Sequence, residues 1–161
     1  MSPGELPALA LRWLPRPAYT RPALAALNLA FATALRRGEL DFMTGRIIVI
    51  ALQETPLRLA LSGARRRLVS PAVPRRPDLL IEADLATYAT LLQGEADPDT
   101  LFFQRRLRLN GDTELGLEVK NFLAGWEPDR VLQRLLTQAR RRLSGPVEVG
   151  DFTTRHREFQ K

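Results

Sequence analysis

Residues 97–123, DPDTLFFQRRLRLNGDTELGLEVKNFL, run a turn, an aromatic pair, a short basic strand and an amphipathic helix together without a linker. Asp97-Pro98-Asp99-Thr100 reads as a turn or helix start, and Leu101-Phe102-Phe103 as a compact aromatic anchor. Arg105–Leu109 alternates as a strand with Leu107 and Leu109 inward. Asn110-Gly111-Asp112 breaks it, and Asp112 or Thr113 caps a helix with acidic residues in its first turn. Leu115, Val119, Phe122 and Leu123 share one face of that helix, and Gly125 stops it. Physically this is a lid, a strand and a helix closing one side of an apolar chamber.

The segments before it read as strands. Arg46–Leu52 (RIIVIAL) is a continuous β-branched run, as expected of a strand covered on both faces. Leu57–Leu61 alternates Leu-Arg-Leu-Ala-Leu, Ser62-Gly63 suits a tight turn, and Arg65–Ser70 returns. After the proline-rich link Pro71–Pro77, Leu79–Ala83 is a fourth strand. Asp84 caps a helix over Leu85–Gln93, with Leu85, Tyr88, Leu91 and Leu92 on its apolar side. Gly94 ends it.

Further out lie helices. Gly4–Leu14 has helical spacing and stops at Pro15 and Pro17. Thr20 is placed to cap a helix running to Arg37, with Leu24, Leu27, Phe31 and Leu35 on one face and Gly38 as its stop. Leu40, Phe42 and Met43 form an apolar connector. A last helix runs from Glu127-Pro128-Asp129 to about Leu143. The order gives an α+β fold: one mostly antiparallel sheet of about five strands, helices packed on one side, and an N-terminal helical extension. The organisation reads as 1–37 extension, 38–145 ligand-binding domain and 146–161 tail.

Composition narrows the chemistry. The 161 residues contain no cysteine and one histidine, His156, so thiolate metal sites, cysteine nucleophiles and Ser-His chemistry lack their parts. No metal or cofactor is expected. Asp112, Glu114 and Glu118 are the one cluster that would suit an enzyme, yet carboxylates at a helix N-terminus are an ordinary structural device. Lysine occurs only at Lys120 and Lys161, so arginine supplies nearly all of the 24 basic residues behind a net charge of +6. A functional anionic partner and plain compositional bias both account for that excess. The runs Arg65–Arg67, Arg75-Arg76, Arg105-Arg106-Arg108 and Arg140–Arg142 are dispersed and lack an aromatic RNA-binding signature, so no nucleic acid is expected.

No apolar run reaches 18 residues and no basic-then-apolar leader opens the chain, so the expectation is a cytoplasmic protein at the inner face of a membrane. Trp13 beside Arg12 and Arg16, with Arg21 following, suits an anionic bilayer surface. A Trp docked into a groove on the body fits the same residues.

The layout from Leu40 to Leu123 resembles a sterol-carrier-protein-2-like lipid-binding domain, and within that superfamily the bacterial accessory factors of ubiquinone biosynthesis. The pieces that carry the resemblance are Asp97–Phe103, Arg105-Arg106-Leu107, Gly111–Glu114 and Gly116–Asn121, with Asp41-Phe42 and Gly45-Arg46. The segment beyond Gly145 has no match to that pattern. The resemblance implies a non-catalytic factor of the oxygen-independent route. It would hold a polyprenylated quinone precursor, beside two iron-sulfur hydroxylase partners, UbiU and UbiV. A general phospholipid carrier is the alternative within binding modules, an unrecognised carboxylate enzyme the alternative outside them, and a second copy of the chain a further candidate partner, as a homodimer. The expected tail contacts are Phe31, Phe42, Ile48, Leu85, Tyr88, Leu92, Phe102, Leu115, Val119 and Phe122. Patterning by itself does not separate a hollow interior from a filled one.

Overall fold

The computed structural model describes residues 13–143. The expected helix Gly4–Leu14 falls almost wholly outside that range, as do Arg12, His156 and the tail 146–161.

The chain enters α1 (Arg16–Ala30), which starts four residues before the expected Thr20 cap. Pro15 is the extended residue at its head, and Pro17 lies in the first turn, where a missing N–H is not needed. Pro22 sits inside the helix and removes one rung of its ladder. The single helix expected to Arg37 is divided at Phe31, and α2 (Ala32–Arg37) follows. Gly38, at φ 75°, closes α2 as expected: its N–H reaches Leu35 O and the Glu39 N–H reaches Ala34 O. A short 3-10 turn, Asp41–Met43, leads to the sheet.

The sheet holds β1 (Ile48–Leu52), β2 (Arg58–Ala64), β3 (Arg67–Val69), β4 (Leu79–Ala83) and β5 (Arg108–Gly111) in the order β3-β2-β1-β4-β5. Three neighbouring pairs are antiparallel and β1–β4 is parallel. Between β4 and β5 lie α3 (Leu85–Leu92) and α4 (Pro98–Phe103), and after β5 come α5 (Thr113–Gly125) and α6 (Arg130–Leu143). The expected α+β architecture, a five-stranded mostly antiparallel sheet with helices, is what the chain forms.

Two boundaries moved. The β2–β3 turn falls on Arg65-Arg66, both at positive φ, and not on Ser62-Gly63. Gly63 remains in β2 because a Cβ there would crowd Thr44 N and Met43 C at 3.2 and 3.3 Å, where the 3-10 turn bridges the strand. Arg105–Leu109 is only partly a strand: Pro98–Phe103 is helical, Arg105 takes φ 59°, and pairing begins at Arg108 and runs through Asn110-Gly111. Leu107 is buried, as expected, but just ahead of the strand.

Ile48, Ile50, Leu59, Leu61, Leu79 and Ile81 share one face by register. That face, with the inner sides of α1, α2, α3 and α5, surrounds the main apolar cluster.

Candidate functional site

The interior is not filled. A cavity of about 300 Å³ lies between the sheet and the helices. Ile48, Ile50, Leu59, Leu61 and Ile81 form its floor. The alternation that turns Ile48 inward also turns Ile50 inward, so this part of the wall was readable from strand period although the sequence reading named only Ile48. Phe31, Phe42 and Phe122 form an aromatic end wall, with ring centroids 5.4 Å apart for Phe31–Phe122 and 6.5 Å for Phe42–Phe122. Trp126, which the sequence reading did not single out, backs this wall at 4.9 Å from Phe31.

The N-terminal helix is part of the chamber. Ala23, Ala26 and Leu27 of α1 line it, beside Phe31, the one residue of 1–37 that the sequence assigns to the ligand contacts. Asn28 holds α1 against the edge strand β3: its Oδ1 accepts the Leu68 N–H at 2.8 Å and its Nδ2 donates to Leu68 O at 3.0 Å. Asn28 thereby meets the bare backbone of β3 as a neighbouring strand would. Ala26 is exposed to solvent yet lines the cavity, which puts the mouth beside α1.

Of the expected contacts, the structure brings Phe31, Phe42, Ile48, Tyr88, Leu92, Val119 and Phe122 together around the cavity. Leu85, Phe102 and Leu115 do not line it. Leu85 shares a side of α3 with Tyr88 and Leu92, which line the cavity one and two turns further along, but as the first residue of the helix it is itself 71% exposed. In α4, Leu101 takes the inward position, so Phe102 and Phe103 turn out to 37% and 80% exposure. Phe102 lies instead under Lys120, whose ammonium is 4.9 Å from the ring and 2.7 Å from Asp99. Leu115 is fully buried one turn along α5 from Val119, in the solid part of the core.

The lining carries a single polar side chain, Tyr88. Its hydroxyl lies 2.9 Å from Ala51 O and 3.1 Å from Ile81 O, so its proton is already engaged. Burial, aided by the charge of Glu82, raises the phenol above its ordinary value, and it stays neutral at physiological pH. Among the described residues no carboxylate, histidine or arginine lines the space.

The acidic cluster has another occupation. Asp112 caps α5, accepting the Leu115 N–H at 3.0 Å, and also accepts Arg46 Nη1 at 3.0 Å. Those bonds hold its carboxyl below its ordinary value, the backbone N–H first and the guanidinium second. Arg46 also lies 3.7 Å from Asp78, whose other oxygen accepts the Ile47 N–H at 2.7 Å. The cluster pins the starts of β1, β4 and α5 together. Glu114 and Glu118 are exposed on α5, and neither touches the cavity. Among the described residues no group of three possible ligands is arranged to hold a metal ion, and no helix is long and apolar enough to cross a membrane.

An apolar chamber between helices and a mixed five-stranded sheet, with Tyr88 as the titratable group in its described wall, suits an apolar ligand. The chain belongs to the SCP-2 sterol transfer family, which it matches over residues 25–124. It is 37% identical over 127 residues to the ubiquinone biosynthesis accessory factor UbiT of Escherichia coli (strain K12), covering 77% of this chain and 70% of that one. The same protein from Escherichia coli O157:H7 matches equally. Among solved structures, the ubiquinone synthesis protein UbiJ-SCP2 superposes with a TM-score of 0.54 at 19% identity, over 78% of this chain and 97% of its own. That likeness bears on the fold.

Proposed function

We propose that this chain is a non-catalytic accessory factor of oxygen-independent ubiquinone biosynthesis, whose cavity holds the hydrocarbon part of a polyprenylated quinone precursor while partner hydroxylases work on the ring. The apolar cavity of about 300 Å³ carries this reading. Removing one CH₂ from water is worth about 0.8 kcal/mol, so a prenyl chain does not leave a bilayer without such a surrounding. The absence of any titratable wall group except a raised, engaged Tyr88 supports a holding role over acid–base chemistry. The likeness to the ubiquinone biosynthesis accessory factor UbiT supports the pathway, and UbiU and UbiV are the partners to test first.

The outer face of α1 favours a cytoplasmic protein working against a membrane. Ala18, Pro22, Ala25, Ala26 and Leu29 are all exposed there, beside Arg21 and next to the mouth. Arg16 and the 88% exposed Trp13 stand at its head. A general phospholipid carrier is the second reading, favoured by a lining with no free polar group to select one head over another.

Mass spectrometry of an organic extract of the purified protein tests both. A polyprenylated aromatic is expected. A phospholipid in its place favours the second reading, and an extract empty of lipid defeats both.

A further inference from the structure

Size and chemistry of the cavity together limit what a ligand can put inside. A cavity of about 150 Å³ takes one benzene ring. At about 300 Å³ the present one takes roughly twice that, about a dozen carbons. Its one polar side chain already shares its proton with two backbone carbonyls. A phenolic ring placed inside would find no donor and only the lone pairs of Tyr88 Oη to accept from it, so most of its polar atoms would be buried without partners, which is unfavourable.

On the carrier reading, we infer that the cavity encloses only about two to three five-carbon units of a prenyl chain, with the aromatic ring and the rest of the chain outside, and that Ala26 sets the width of its mouth. Ala26 is the wall residue that is also exposed, and it sits on the outer face of α1. A longer tail never fully leaves the bilayer on this account. The protein takes one segment of it and leaves the ring in water, accessible to an enzyme. The class of ligand is then any amphiphile with an unbranched or prenyl segment of about this length, and discrimination by total chain length is weak.

The test is a series of hydroquinones bearing one to eight prenyl units, titrated against the full chain by displacement of a fluorescent fatty acid. Affinity is expected to rise by about tenfold or more per unit over the first two or three, as each is removed from water. Beyond four units it is expected to stay within about threefold. A rise that continues at the same slope to eight units overturns the capacity limit while leaving the carrier reading standing. No binding at any length defeats the carrier reading itself. The bound ring is expected to titrate at the same pH as the free one, and an upward shift would place it inside and overturn the orientation. Ala26→Trp is expected to weaken the three-unit compound by about tenfold, whereas Leu117→Trp, on an exposed residue of α5 outside the cavity, leaves it unchanged. Ala26→Met serves where the larger ring disturbs folding. Equal affinity of both Ala26 variants and the unaltered protein would overturn the assignment of the mouth.

Discussion

Asp112 and Asp84 are built alike. Each is the residue before a helix and accepts an N–H three residues on, from Leu115 at 3.0 Å and Thr87 at 2.6 Å. Each carboxyl is held below its ordinary value, in both cases chiefly by that backbone bond. The folded chain therefore gives up these protons more easily than the unfolded chain. Their stabilisation is complete above the unfolded value of about 4 and is lost as pH falls through the folded values. Asp112→Asn keeps a cap but loses the charge toward Arg46. Its melting temperature is expected below that of the unaltered protein at pH 7, with the gap closing as pH falls below about 4. A gap constant across that range would mean the carboxylate charge is idle. At the cavity, Phe122 presents the opposite case, an apolar ring among Phe31 and Phe42. Phe122→Asp is expected to abolish lipid co-purification and to cost about 3 kcal/mol or more of stability. A folded variant with unchanged lipid content removes the residue from the site. The caps were legible because a side-chain oxygen three residues ahead of a helical N–H is a local relation. The exposure of Phe102 was not, because Leu101-Phe102-Phe103 offers three apolar neighbours and only the packed helix decides that Leu101 points in.

Elements were readable where local chemistry and tertiary demand agree, and misread where they part. Ser62-Gly63 looks like a turn, yet Gly63 is needed inside β2 so that the Met43-Thr44 backbone can approach. The turn is thereby pushed onto Arg65-Arg66 at φ 47° and 62°, a backbone shape that asparagine and glycine take with less strain. Nothing in the sequence marks two arginines for that task. Replacing them by Asn-Gly is expected to stabilise the protein by about 1 kcal/mol or more. The urea midpoint should rise with unchanged slope, and a lowered midpoint would show that the arginine side chains matter more than the turn. The same logic holds at β5. Asn110-Gly111 reads as a break, but Gly111, at φ 131°, lies so close to the Asp78 carbonyl that no Cβ fits. The strand runs on through it, and the Asp112 N–H bonds Asp78 O at 2.8 Å immediately beyond.

At the scale of the molecule, strand and helix order specified an α+β fold, since each segment announces its own period. The hollow did not show, because the same leucines and isoleucines pattern a filled core and an empty one. One of its walls is α1, set across the sheet edge with Asn28 bonded to Leu68 at a sequence distance of 40 residues. The same setting turns an apolar, arginine-bordered helix face outward beside the mouth. A net charge of +6 adds long-range attraction to any anionic surface. Binding to vesicles containing phosphatidylglycerol should therefore depend on two separable contributions. The electrostatic part, through Arg16 and Arg21, is screened as the Debye length falls from about 10 Å at 0.1 M salt to about 3 Å at 1 M. The apolar part, through Trp13 and Leu29, is indifferent to salt. Raising salt from 0.1 to 1 M should weaken sedimentation with such vesicles by up to about thirtyfold, if each of the two arginines near the surface is worth about 1 kcal/mol. Trp13→Ala should weaken it at every salt concentration by a similar factor, and the Arg16→Ala, Arg21→Ala pair should flatten the salt dependence. Vesicle binding indifferent to all three changes would detach α1 from the membrane and require the cavity to be loaded from another face.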